Sequence, residues 1–387
     1  MAKDIISTLP DEILCHILSF LRTKEADATT ILSKRWKHLW RSVTTLRIDN
    51  DAEVENLDSH YAFIHFVDSV LFSRHPAFHC PLKLSTFKLC IIILMSPPLK
   101  SLTNWVNFVV QGGVECLDLD MSLEDKIKLP ITVLTCKTLV VLKLDYFNVD
   151  LGHSSVLLPS LKTCHLDFVR FSKFRDFTMF LKGCPILQYL YTYHVSFDHE
   201  EDFTCNEWKS LLSTNLIRAD IDCNSYYFPV KAVHNVQSLR FGYRQEYYRN
   251  DLIPTFHNLT QLELSCHDYS KELLLDVLNH CPNLQRLDLI EIGANDKEVC
   301  TKRDDKTNWA FPDVVPQCLS LYLRTCNLLG FRGLHGDLML ASYILKNASV
   351  LQTMKIWSGK GKSAIKRILS AVPTASSMCK LMVYDDS

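Results

Sequence analysis

The chain has 387 residues, 47% of them hydrophobic and 22% charged, with a formal net charge of -1. That length exceeds one ordinary domain, and that balance excludes a protein drawn to polyanions by its overall field. Its longest apolar run, Leu89 to Met95, falls far short of the roughly 20 residues a membrane span needs.

The first twenty residues carry acids where a signal peptide would be apolar, so a place in the nucleus or cytoplasm is expected. Fifteen cysteines include no Cys-x-x-Cys pair and no zinc-finger spacing. They read as small buried hydrophobes of a reducing compartment, and no metal or cofactor is expected. "STLPDEILCHILSFL" then predicts a helix: Pro10 suits its first position, and Asp11 and Glu12 complement the positive end of the dipole. Ile13, Leu14, Ile17, Leu18 and Leu21 share one apolar face.

"LSKRWKHLW" (Leu32 to Trp40) mixes cations and aromatics as a nucleic-acid patch would. At about 100° per residue, Leu32, Trp36, Leu39, Trp40 and Val43 fall on one face, with Lys34, Lys37 and Arg41 opposite. A base-stacking platform needs the two together, so the tryptophans read as packing residues and Lys34, Arg35 and Lys37 as a solvated or partner-facing helix flank. No nucleic-acid partner is expected.

Two such short helices bury little alone and need a partner for their apolar faces. "LPDEILCHILSFLRTKEADATTILSKRWKHLW" resembles an F-box, the module that docks on the Skp-type adaptor of cullin-based ubiquitin ligases. The resemblance implies adaptor-binding roles for Leu9, Pro10, Ile13, Leu14, Ile17, Leu18, Leu32 and Trp36. One departure is Asp27, where family members usually carry an apolar residue; buried and unpaired there, a carboxylate would cost several kcal/mol.

Past residue 80 a pattern of apolar, two residues, apolar, one residue, apolar recurs. It starts at Leu84, Val114, Leu139, Leu161, Leu187 and Leu216, then at Val236, Leu259, Leu284, Cys318 and Leu351. The starts lie about 20 to 34 residues apart, around the period of leucine-rich repeats. Each unit predicts one short strand with inward apolar residues, and stacking is what buries them. "KELLLDVLNHCP" and "FTMFLKGCP" read as returning segments ended by Pro282 and Pro185. A dinucleotide-binding sheet lacks its glycine fingerprint here.

Three stretches interrupt the pattern: an acidic one from His194 to Trp208, a Tyr/Arg-rich one with Tyr243, Arg244, Tyr247, Tyr248 and Arg249, and a charged one from Asn295 to Asn308. The first two read as solvated insertions or binding loops, and the third as an exposed linker. The C-terminal part, with Gly330-Phe331, "YILKNA" (Tyr343 to Ala348) and Pro373-x-Ala-Ser-Ser, resembles the FBD module. The whole is similar to plant F-box/FBD/leucine-rich-repeat proteins. The fold expected is α/β: a helical F-box at 1–47, divergent repeats at 48–305 forming a horseshoe solenoid, and an FBD module at 306–387 closing it.

Gly361-Lys362-Ser363 ends like a phosphate-binding loop, but Ile356 stands where the first glycine belongs, so a polar turn is expected. No nucleophile elbow, HExxH helix or redox pair is present. The resemblance therefore implies a non-catalytic, target-holding subunit of a Skp–cullin–F-box ligase. A scaffold outside any ligase and a small-molecule-sensing receptor remain open alternatives.

Overall fold

A computed structural model describes residues 5–50, 57–74, 84–91, 99–121, 127–198, 215–222, 228, 230–243, 253–266, 271–291, 314–359 and 361–385. The chain forms two compact units, Met1–Leu187 with Val195–Leu211, and Gln188–His194 with Leu212–Ser387. The interruption at Asn295–Asn308 and most of the other two lie outside the described residues.

The first unit opens with three short helices, α1 (Asp11–Leu18), α2 (Thr23–Ala28) and α3 (Lys34–Leu39), followed by β1 (Thr45–Asp49) and α4 (Leu57–Phe72). Next come β2 (Thr86–Ile91), α5 (Leu99–Gln111), β3 (Cys116–Met121) and the short β4 (Ile127–Lys128). The unit continues through β5 (Val141–Asp145), β6 (Phe147–Val149), β7 (Thr163–Asp167), β8 (Arg170–Phe171) and α6 (Phe174–Lys182). Strand β9 (Tyr189–Tyr193) belongs to the second unit, and β10 (Ser196–Phe197) returns to the first.

Strands β1, β2, β3, β5 and β7 pair side by side, all parallel, as the repeat reading requires. Their register aligns Leu46, Phe87, Leu117, Leu142 and Cys164 in one buried row. A second row holds Ile48, Leu89, Leu119, Leu144 and Leu166, also buried. Burying each leucine stabilises the stack by roughly 1.5–3 kcal/mol, but only when its neighbours are in place.

A ladder the repeat template did not foresee runs through β4, β6, β8 and β10. The chain enters it through left-handed residues directly after the main strands: Tyr146 (φ 62°) before β6 and Phe168 (φ 47°) ahead of β8. Such backbone is unfavourable for side-chain-bearing residues. Here the two rings stack at 4.6 Å and 15°, which offsets part of the strain. Phenylalanines fill the corner inside: Phe171 lies 5.2 Å from Phe177, and Phe174 is 5.2 Å from Phe197.

The second unit pairs β9 with β11 (Arg218–Asp222), then β12 (Ser238–Tyr243), β13 (Gln261–Cys266) and β14 (Arg286–Glu291). It goes on through β15 (Thr325–Leu329), β16 (Thr353–Ser358) and β17 (Lys380–Asp385), all parallel. Helices α7 (Lys271–Asn279), α8 (Gln317–Leu321), α9 (His335–Asn347) and α10 (Lys362–Ser370) connect them. Pro185 and Pro282 follow α6 and α7 as expected, each behind a buried cysteine, Cys184 or Cys281. Burial pushes the Cys184 thiol up to about 12 and raises that of Cys281 as well.

One repeat was misplaced by pattern. Cys318 and Leu321 lie in helix α8, and Leu321 is exposed. The strand comes later, where Cys326 pairs opposite Leu287 and Leu328 opposite Leu289. Both sets match the same apolar template, and only the pairing register tells them apart. Strands β1 and β17 extend the series beyond the eleven matches.

Candidate partner-docking face of the N-terminal helices

Helix α1 starts one residue later than expected: Pro10 is its cap, extended at φ -59° and ψ 153°. The apolar face read from the sequence proves to be two stripes. Leu14 and Leu18 are 0% and 1% exposed, whereas Ile13 and Ile17 remain 47% and 43% exposed. The inner stripe lies in the module's own core, where Trp36, Leu39, Trp40 and Val43 are also buried. Of the eight expected contact residues, Pro10, Ile13, Ile17 and Leu32 are exposed and Leu9 is half-buried. Leu14, Leu18 and Trp36 face inward and support that surface from beneath.

Ile5, Ile6, Phe20 and Ile31, which the sequence reading did not single out, are exposed as well. With Ile13, Ile17 and Leu32 they leave this short module with more exposed large apolar side chains than the single, scattered ones of an ordinary surface. Ile31 lies in a short 3-10 turn, Thr29–Ile31, where helical periodicity gives no signal.

Arg35, though partly solvated, is held in place. Its Nε donates to Asp11 Oδ1 at 2.8 Å and its Nη2 to the Leu9 carbonyl at 2.6 Å. The planar fork so ties α3 to the first residue of α1 and to the turn just before it. Asp27 is only half-buried, between buried Ala26 and exposed Ala28, so the cost of a fully desolvated carboxylate does not arise.

The module is fused to the first repeats. The Arg47 N–H donates to Thr23 Oγ1 at 2.9 Å, and Arg22 Nε lies 3.3 Å from Asp49 Oδ2. Arg74 donates to the Trp40 carbonyl at 2.7 Å and stands over the Trp40 ring. Burial, with Arg41 nearby, lowers its guanidinium to about 10.

On the first unit's outward sheet face, one row aligns Asp49, Cys90, Asp120, Asp145 and Asp167. Burial, then the charges of Asp120 and Asp167, push the Asp145 carboxyl up to about 7. Cys90 Sγ lies 3.3 Å from Asp120 Oδ2, and burial first, then Asp120, raises that thiol to about 12. The second unit instead presents arginines beside Tyr191 and Tyr193. Its core holds an apolar cavity of about 30 Å³ lined by Leu239, Phe241, Phe256 and Leu262 among others, and in the first unit a cavity of about 340 Å³ is lined by Phe20, Arg22, Glu25, Arg47 and Lys88 among others. Gly361 is a left-handed cap (φ 78°) opening α10, and Lys362 pairs with Asp385 at 3.1 Å, as a polar turn would.

Three domain families match: F-box at residues 6–47, the leucine-rich repeats of an FBD-associated F-box protein at 102–222, and FBD at 312–356. An FBD-associated F-box protein of Arabidopsis thaliana is 30% identical over 407 residues, covering 92% of this chain and 93% of the relative. The chain belongs to the plant F-box/FBD/leucine-rich-repeat family. Another Arabidopsis thaliana member, an F-box/FBD/LRR-repeat protein, is 27% identical across 98% of this chain and 96% of its own length. An F-box/LRR-repeat protein from the same plant reaches 38% identity over 199 residues, about half of each chain. In this F-box protein the matched F-box spans α1 to α3 and ends inside β1.

Proposed function

We propose that this F-box protein is the target-holding subunit of a Skp–cullin–F-box ubiquitin ligase, acting in the nucleus or cytoplasm. The observation that carries the reading is the outward stripe of Ile13 and Ile17, with Pro10 and Leu32 also exposed, on a module whose inner stripe is already buried. An amphipathic helix with a second apolar stripe is what a groove on an adaptor accepts. The repeats would then hold a target near a thioester that other subunits supply, and catalysis follows from proximity. This division of labour requires no nucleophile on the chain. Horseshoe closure of the repeats by the FBD module belongs to the proposal, with 1–47, 48–305 and 306–387 as the working division.

Capture of a Skp-type adaptor by the full chain, and its loss with Leu9→Ala/Pro10→Ala, tests the reading. Undiminished capture by that double variant contradicts it.

A further inference from the structure

The outward face of the second unit's sheet arranges its charges in two layers. Arg218, Arg240 and Arg286 leave 44%, 42% and 51% of their side chains exposed. The acids that hold them, Asp220, Glu263 and Asp288, leave 4%, 27% and 12%. The carboxylates thus lie beneath and the guanidiniums above.

Each arginine engages its acid through Nε: Arg218 with Asp220 at 3.0 Å, Arg240 with Glu263 at 2.9 Å and Arg286 with Asp288 at 2.8 Å. Arg218 adds Nη2 to Asp220 Oδ2 at 2.9 Å. A guanidinium held along its Nε side keeps its end-on Nη1/Nη2 edge, the geometry that takes a second carboxylate bidentately. Two of the forks are fixed further, Arg218 and Arg240 lying 5.8 Å from the ring centroids of Tyr191 and Tyr193. Asn327 Nδ2 donates to Asp288 Oδ1 at 2.6 Å and braces the third. Locking a long side chain before binding removes the ordering cost that a partner would otherwise meet.

The two rows that carry these residues also include Lys355 and Lys380, so from β11 to β17 they hold five cations against three carboxylates. Neighbouring strands stand about 4.8 Å apart, and alternate side chains of an extended peptide about 7 Å apart, within reach of flexible arginine stems. We propose that this face binds an extended acidic segment of the target protein, its carboxylates seated end-on against Arg218, Arg240 and Arg286. The inference rests on the reading that the repeats hold the target, and it names the chemistry of what they hold.

The test uses the purified full chain, with a Skp-type adaptor supplied separately for capture, and fluorescein-labelled ten-residue peptides alternating Glu with Ser or Lys with Ser. By anisotropy at low salt, the Glu peptide binds at least about tenfold tighter than the Lys peptide, and more salt weakens it. Arg218→Gln/Arg240→Gln/Arg286→Gln removes that preference. Because the substitution leaves buried acids unpaired, Arg218→Lys/Arg240→Lys/Arg286→Lys serves as a second variant; it keeps the charge, loses the fork, and binds several-fold more weakly. Equal binding of the two peptides, full binding by either variant, or binding only when the serines are phosphorylated overturns the proposal. Adaptor capture is read on the same samples: its loss with peptide binding intact breaks the ligase reading alone, and the converse breaks this inference alone.

Discussion

Arg35 and Asp11 form a clasp: Nε of the arginine donates to Oδ1 at 2.8 Å while Nη2 holds the Leu9 carbonyl at 2.6 Å. The contact spans 24 residues of sequence and ties α3 to the Leu9 carbonyl and to Asp11, on either side of Pro10. The pair is largely solvent-exposed, so its own worth is about 1 kcal/mol or less.

Arg35→Ala is therefore expected to lower thermal stability little and adaptor affinity several-fold. Paired melting curves and adaptor titrations of the same protein check this. A variant that melts early but binds normally would make the clasp merely structural.

Gly183 caps α6 at an ordinary φ of -69°, yet a Cβ there would lie 2.5 Å from Val156 Cγ1 and 2.7 Å from the Val156 carbonyl. Something must shift. Gly183→Ala should destabilise the first unit by about 1–3 kcal/mol, read as a lower midpoint in urea with an unchanged slope.

Asp145 carries a pH dependence. Its folded carboxyl is raised to about 7 from 3.8, chiefly by burial and then by Asp120 and Asp167. Below the unfolded value both states are protonated and nothing is lost. As pH climbs from about 4 to 7 the unfolded chain releases the proton first, and folding becomes less favourable, fully so above 7. Asp145→Asn should raise Tm at pH 8 and leave it unchanged at pH 4. The gain is of order 1 kcal/mol or less, because the group is half-exposed and screened.

The reassigned strand makes its own forecast. Leu328→Ala empties a buried site on β15 and should cost about 2–5 kcal/mol. Leu321→Ala, on an exposed position of α8, should stay within roughly 0.5 kcal/mol. Equal costs would restore the first placement of that repeat.

Much of this was legible in the residues. Alternating leucines carried ten of the eleven repeat positions, because a strand with one buried face has a period of two that few other segments imitate. The slip at Cys318 shows the limit: Leu323, Cys326 and Leu328 fit the same template, and pattern has no access to register. The return ladder was invisible because two-residue strands such as Arg170–Phe171 have no period. At the docking face, helical periodicity found the apolar residues of α1 but merged Ile13 with Leu14. Adjacent residues on a helix are about 100° apart, and what faces inward is settled by Trp36 and Trp40, distant in sequence. The Arg35 clasp was missed for a related reason: its partner lies before the preceding helix.

Affinity for a purified Skp-type adaptor, measured by calorimetry on the full chain and on Ile13→Asp/Ile17→Asp, tests the central claim most directly. Charges placed on the outward stripe leave Leu14 and Leu18 untouched, so the fold should hold, with binding weakened by about a hundredfold or more. Unchanged affinity in a variant that melts like the parent would contradict the account.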